Sequence, residues 1–173
     1  MRLSEYTDYT LRVLMYCATH RDRLVTIGEL AEQHGLSKNH LMKVVNDLAR
    51  QGLIETTRGR GGGLRLLAEP GSIRIGDVVR TSETDFRLVE CFDPATNACT
   101  LSPNCRLKHL FSDALAGYFK ALDGATLADM TADLSAAPRR VGAAAGLKRA
   151  ATVALPTSRR PGPHKKTAVR PSA

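Results

Sequence analysis

Apolar residues recur at helical spacing along the first half of the chain. Leu11, Leu14, Met15 and Ala18 fall at i, i+3, i+4 and i+7, which predicts an amphipathic helix over residues 4–19 with these four side chains turned inward. Cys17 lies beside the stripe and reads as a small buried apolar residue. Thr26 and Glu29 have the spacing of a capping box, and Ile27, Leu30 and Ala31 give a short second helix its inner face. Gly35 marks a turn. Ser37 is placed to cap a third helix, whose Leu41, Val44, Val45 and Leu48 face inward before Gly52 ends it. Two short helices joined through a glycine turn are the sequence form of a helix-turn-helix.

The period then changes. "LIETTRGRGGGLRLL" places two strand-like runs around Gly59, Gly61, Gly62 and Gly63, predicting a β-hairpin with Arg58 and Arg60 at its tip. Ile75, Val78 and Val79 predict another short helix. Farther on, Ser102 and Pro103 form a cap and first-turn pair for a helix that repeats Leu107, Leu110, Phe111, Ala114, Leu115, Tyr118 and Leu122 on one face. That stripe is too long and too apolar for the outer surface of a small domain, which favours packing against a second copy over packing within one chain. "ATLADM" begins one last short helix. The expected fold is mainly α, a winged helix-turn-helix with a long C-terminal dimerisation helix. Its expected divisions are a winged helix-turn-helix region over 1–68, then a linking helix, cysteine loop and dimerisation helix over 69–133, and a tail over 134–173.

Charge supports that last division. Residues 134–173 carry nine Lys or Arg and no Asp or Glu, whereas residues 1–133 carry sixteen basic and seventeen acidic residues. The net charge of +8 on this 173-residue chain therefore resides in the tail. Rich in Ala, Pro and Arg and lacking aromatics, the tail is expected to be disordered. It is either a non-specific nucleic-acid arm or a solvated extension. Glu5, Asp8 and Arg12 interrupt the amino terminus before any secretion-signal pattern develops, and no segment approaches the length of a membrane span. A cytoplasmic protein is expected, in which clustered thiols more often mean metal or redox chemistry than disulfides.

Two constellations carry candidate chemistry. On the outer face of the third helix, Asn39, Lys43, Asn46 and Arg50 recur at i, i+4, i+7 and i+11, with Ser37, Lys38 and His40 at its start. Amide and ammonium groups so arranged suit phosphates and base edges in a major groove, though alone they would read as a solvated helix face. The hairpin tip strengthens the first reading. Arg58 and Arg60 suit a narrow, negative minor groove, and Gly61 and Gly62 permit close backbone approach. No GK[ST] sequence supports a nucleotide site instead.

The second constellation is "CFDPATNACTLSPNC", which holds Cys91, Cys99 and Cys105 with seven and five intervening residues. Structural zinc sites normally contain a tight CxxC pair, absent here, whereas an iron–sulfur cluster accepts thiolates from a wider loop. Cys105 falls at the start of the long helix, where the helix dipole favours a thiolate. An enzyme using a cluster for electron transfer is a competing class, weakened by the lack of any substrate or nucleotide fingerprint.

With "MRLSEYTDYTLRVLMY" and "LSKNHLMKVVNDLARQGLIETTRGRGGGLRL" at these positions, residues 1–133 resemble the NsrR and IscR group of bacterial iron–sulfur transcription regulators, and the NsrR branch in particular. The resemblance implies a homodimeric repressor bound to a double-stranded, palindromic operator, with a 4Fe-4S or 2Fe-2S cluster on Cys91, Cys99 and Cys105. It further implies nitric oxide as the signal that attacks the cluster and releases the operator. Asp8 matches the acidic position of the NsrR pattern and would complete the cluster site from the opposite subunit. The bare spacing of Asp8 and Arg12 is equally that of a helix-start ion pair. His109 follows Cys105 later than the histidine of the IscR pattern. Within the same resemblance, an IscR-type regulator of cluster biogenesis or oxidative stress genes, or a zinc- or thiol-based sensor, is the alternative.

Overall fold

A computed structural model describes residues 2–101 and 104–136. Ser102, Pro103 and residues 137–173 of the basic tail lie outside the described residues; the helix that the Ser102–Pro103 pair is expected to cap starts later, at Arg106, with Cys105 in the N-cap position. Six helices and one hairpin follow in order: α1 (Glu5–Thr19), α2 (Ile27–His34), α3 (Lys38–Arg50), β1 (Ile54–Thr57), β2 (Gly63–Leu66), α4 (Ile75–Ser82), α5 (Arg106–Asp123) and α6 (Leu127–Ala136). None of these helices is long and apolar enough to cross a membrane.

Helix α1 starts where Ser4 caps it, its side chain accepting from the Thr7 amide at 3.2 Å. Its inner face differs from the predicted one. The buried residues are Thr7, Thr10, Val13, Leu14 and Cys17, whereas Leu11, Met15 and Ala18 are only half-buried. The cause is that α1 packs against α3, α4 and α6 together, so its covered arc is wide and centred away from the apolar stripe. Two threonines fit that arc because their hydroxyls are satisfied: Thr10 donates to the Tyr6 carbonyl at 2.8 Å and Thr7 donates to Glu83 at 2.8 Å. Cys17 is buried as expected, and burial pushes its thiol up to about 12.

Thr26 caps α2 by accepting from the Glu29 amide at 3.1 Å, and Gly35 takes φ +65° to turn the chain into α3. Helix α3 buries Leu41, Val44, Val45 and Leu48, as its spacing predicts. The hairpin pairs antiparallel, with Ile54 opposite Leu66 and Thr57 opposite Gly63. A third strand-like partner is added by Val25, which exchanges backbone hydrogen bonds with Leu64 at 2.9 and 2.8 Å. Gly63 is required at that contact, since a Cβ there would lie 2.6 Å from the Val25 carbonyl oxygen.

Helix α4 buries Ile75, Val78 and Val79. Backbone bonds from Ile75 to the Ala125 carbonyl (3.0 Å) and from Leu127 to the Ile73 carbonyl (2.8 Å) then tie the start of α4 to the start of α6. Leu127 enters the main core, fully buried. By contrast, no residue of α5 is fully buried. Its last turns dock on α4: Arg80 pairs with Asp123 at 2.6 Å and lies over the Phe119 ring at 4.3 Å, and Phe86 meets Phe119 edge-on at 4.8 Å. The first half of the predicted apolar stripe is uncovered, with Leu107 55 % and Leu110 62 % exposed.

Two stability measurements follow. Leu127→Ala is expected to cost about 2–5 kcal/mol in urea unfolding, because α6 loses a fully buried anchor and a cavity remains. Glu29 ion-pairs with Arg23 and accepts from Tyr16 at 2.7 Å, and these contacts, Arg23 first, pull its carboxyl from its ordinary 4.5 to about 2. A carboxyl lowered on folding stabilises above its unfolded value. That contribution is expected to disappear as pH falls from about 4.5 towards 2, and Glu29→Gln is expected to flatten the pH dependence of the unfolding midpoint across that window.

Candidate nucleic-acid interface and cysteine loop

Burying Leu41, Val44, Val45 and Leu48 turns the opposite face of α3 outward. Lys38, Asn39, His40, Lys43 and Asn46 are all exposed on it. Ser37 occupies the N-cap position with extended backbone, but its side chain makes no capping hydrogen bond, contrary to the expectation from its position. Its exposed hydroxyl is left available to an external acceptor.

The basic character of this face is organised from behind by α1. The Tyr6 hydroxyl donates to Asp47, the one acidic residue of α3, at 2.5 Å, and the same carboxylate pairs with Arg50 at 2.5 Å. Burial and the Asp47 carboxylate together push the Tyr6 phenol up to about 12, so it stays a donor. Lys43 Nζ stands 5.6 Å from the centre of the Tyr6 ring, and Tyr9 stacks beside His40 with ring centres 6.3 Å apart. Asp47 is thereby drawn towards α1, away from the outward row of amides and ammonium groups. Sequence reasoning missed Tyr6 and Tyr9. Their signal was an i, i+3 aromatic pair at the edge of α1, legible only with α3 in place.

At the hairpin tip, Gly59 and Gly61 take φ +100° and +80°, and the Gly62 amide closes the turn on the Gly59 carbonyl at 3.0 Å. Gly62 admits no side chain, because a Cβ would lie 2.3 Å from the Thr57 carbonyl oxygen. Arg58 and Arg60 are exposed and make no ion pair among the described residues, unlike Arg65, which is held by Glu55 across the strands at 2.7 Å. Between α3 and the hairpin runs a groove bordered by Thr26, Met42, Asn46, Thr57 and Arg58. A helix with exposed amides and cations beside an arginine-tipped hairpin has the shape and charge to meet a major groove and the adjoining backbone of duplex DNA.

The cysteines lie elsewhere on the fold. Cys91 sits in a 3-10 turn (Glu90–Phe92), Cys99 in the following loop, and Cys105 at the N-cap of α5. The loop is shaped by short polar contacts: Glu90 accepts from the Ala98 amide at 2.8 Å, Asn97 from the Cys99 amide at 3.0 Å, and Asp93 from the Ala95 amide at 3.0 Å while also holding Arg87. All three thiols are free and half-exposed. Among the described residues, no three His, Cys, Asp or Glu side chains stand together as a metal site. As a donor set the three thiols nevertheless fit an iron–sulfur cluster: they are soft, unpaired and carried by one loop that ends at a helix N-terminus. Asp8 is half-exposed in the first turn of α1 and pairs with Arg12 at 2.7 Å. His109 borders a separate cleft with Phe86, Arg87, Phe92 and Lys108.

Comparisons with known proteins identify the family and the fold. Residues 3–133 match the profile of the Rrf2 family, described as an iron-dependent transcriptional regulator. The HTH-type transcriptional regulator NsrR of Bacillus subtilis is 51 % identical over 131 residues, covering 75 % of this chain and 90 % of that protein. NsrR of Geobacillus kaustophilus is 43 % identical over 134 residues, covering 77 % and 91 %. Among solved structures, T. potens IscR superposes with a TM-score of 0.63 at 26 % identity, covering 82 % of this chain and 94 % of that one. Staphylococcus aureus CymR gives 0.60 at 26 %, covering 74 % and 96 %. The relatives are named as regulators of transcription, and the electron-transfer enzyme is set aside on those names.

On an operator duplex, Arg60→Ala is expected to weaken binding and to lower the salt slope of log K by about one unit, as for one lost phosphate contact. Fluorescence anisotropy across a salt series reads both. An unchanged slope and affinity would remove the hairpin tip from the interface.

Proposed function

Because the chain belongs to the Rrf2 family of iron-dependent transcriptional regulators, we propose that it is a homodimeric DNA-binding repressor that holds an iron–sulfur cluster and releases its operator in response to nitric oxide. The observation that carries this reading is the coexistence, in one chain, of an arginine-tipped hairpin beside the exposed polar face of α3 and a separate loop with three free thiols. The first is a surface for DNA and the second is a donor set for a sensor. The high identity to proteins named NsrR supports nitric oxide as the signal.

In this reading Ser37, Lys38, Asn39, His40, Lys43 and Asn46 meet the major groove and its phosphates, and Arg58, Arg60, Gly61 and Gly62 meet the backbone or minor groove alongside. A second copy covers the exposed leucines of α5, and its two-fold symmetry matches a palindromic operator. Cys91, Cys99 and Cys105 supply thiolates to the cluster, and Asp8 supplies a carboxylate oxygen, as the NsrR resemblance implies. When bound, the cluster supplies iron that reacts with nitric oxide. Tyr6 and Tyr9 flank Asp8 on α1 and contact Lys43 and His40, so a change at Asp8 bears directly on the helix that presents the DNA-facing side chains.

Visible absorption of protein purified without oxygen tests the reading. Wild type is expected to be coloured and to lose both colour and operator binding on nitric oxide addition. Cys99→Ala is expected to be colourless, and Asp8→Ala coloured, with an altered spectrum and a weaker coupling of nitric oxide to DNA release. A colourless wild type that binds zinc would overturn the cluster. A coloured protein whose operator binding ignores nitric oxide would point to the IscR-type alternative. Identical spectra and responses for wild type and Asp8→Ala would return Asp8 to its ion pair.

A further inference from the structure

Met42 differs in kind from its neighbours. It is a large apolar side chain, 44 % exposed, on the outer face of α3. Asn39 lies three positions before it and Asn46 four positions after, so the three share one helix face, with Lys43 adjacent. Met42 also borders the groove between α3 and the hairpin, in company with Thr26, Thr57 and Arg58. Leaving a thioether in water on a face otherwise built of amides and cations gains nothing for the free chain. Its place between two amides belongs to the same surface that meets DNA, and that continuity identifies its partner as a base edge. Among base pairs, the apolar group presented in the major groove is the C5-methyl of thymine. Methionine suits it, being unbranched, polarizable and able to adjust to the methyl's position.

We propose that Met42 is a specificity-determining residue: it reads the methyl group of a thymine in each half-site, between the bases faced by Asn39 and Asn46. The inference rests on the DNA-binding function proposed above and adds to it the chemistry of one recognised base.

The full-length chain, purified without oxygen, would first be used to enrich its preferred sequence from random duplexes. Each thymine of that sequence would then be replaced in turn by deoxyuridine, which lacks only the methyl group. One thymine per half-site is expected at which wild type loses about three- to fourfold in affinity, the size of one buried methyl group. Met42→Ala is expected to bind thymine and uracil duplexes equally, and Met42→Leu to keep the preference. Circular dichroism and unfolding midpoints like wild type are expected for both variants, since the side chain is exposed. If no thymine replacement affects wild type, or if Met42→Ala stays as sensitive as wild type, the assignment is overturned. A wild-type chain that enriches no sequence overturns the DNA-binding function and the Met42 assignment together.

Discussion

Burial of one face of α1 is the constraint from which the remaining geometry follows. Val13, Leu14 and Cys17 lie fully inside the core, packed with residues of α3, α4, β2 and α6. Large apolar side chains buried in this way each contribute on the order of 1.5–3 kcal/mol, so α1 cannot rotate without exposing several of them. Its polar edges then become fixed points. On one side Tyr6 and Tyr9 set the groups of α3. At its start, the Ser4 amide and the Thr7 hydroxyl both donate to Glu83, just past α4. Burial pushes that carboxyl up, but these two donors outweigh it and hold it below the usual range. Helix α3 and the entrance to the cysteine loop are thus referred to the same rigid element.

Electrostatics within this frame separate structural charge from available charge. Arg12, Arg21, Arg23, Arg50, Arg65, Arg80 and Arg87 are each held by a carboxylate. Lys38 and Lys43 on α3 and Arg58 and Arg60 at the hairpin tip make no ion pair among the described residues. A nearly neutral body can therefore present free cations on α3 and the hairpin tip, because the carboxylates of those two elements, Asp47 and Glu55, are engaged by Tyr6, Arg50 and Arg65. Exposed pairs of this kind contribute little to stability, and their effect here is on where net charge appears.

Helix α5 obeys a different rule. It is anchored to α4 only near its end, through Arg80, Asp123, Phe119 and Phe86, and the approach is close enough that a side chain at Gly76 would collide with Asp123. Its first turns, immediately after the cysteine loop, expose Leu107 and Leu110, and Leu101 within the loop is 71 % exposed. Apolar surface of this extent next to the loop is the area that the proposed second copy would cover.

Much of this was legible in the sequence because it is local. The helix-turn-helix follows from apolar spacing, the cap at Thr26 and the glycine turn at Gly35. The hairpin follows from two strand-like runs around glycines that accept positive φ or exclude a Cβ. The membership of Cys91, Cys99 and Cys105 in one loop needs only their spacing. Tertiary structure decided the rest. It selected Thr7 and Thr10 over Leu11 and Met15 for the inner arc of α1, because three helices rather than one cover that arc and Glu83 satisfies a hydroxyl from seventy-six residues away. It joined Val25 to Leu64 and Ile73 to Leu127, pairings between backbone groups that leave no mark in side-chain periodicity. It also turned Asp47 towards Tyr6 and left Met42 outside. A residue's own spacing states which face of a helix it occupies, but only the neighbouring helices determine which faces are covered, and therefore which polar groups are spent on the fold and which remain for a partner.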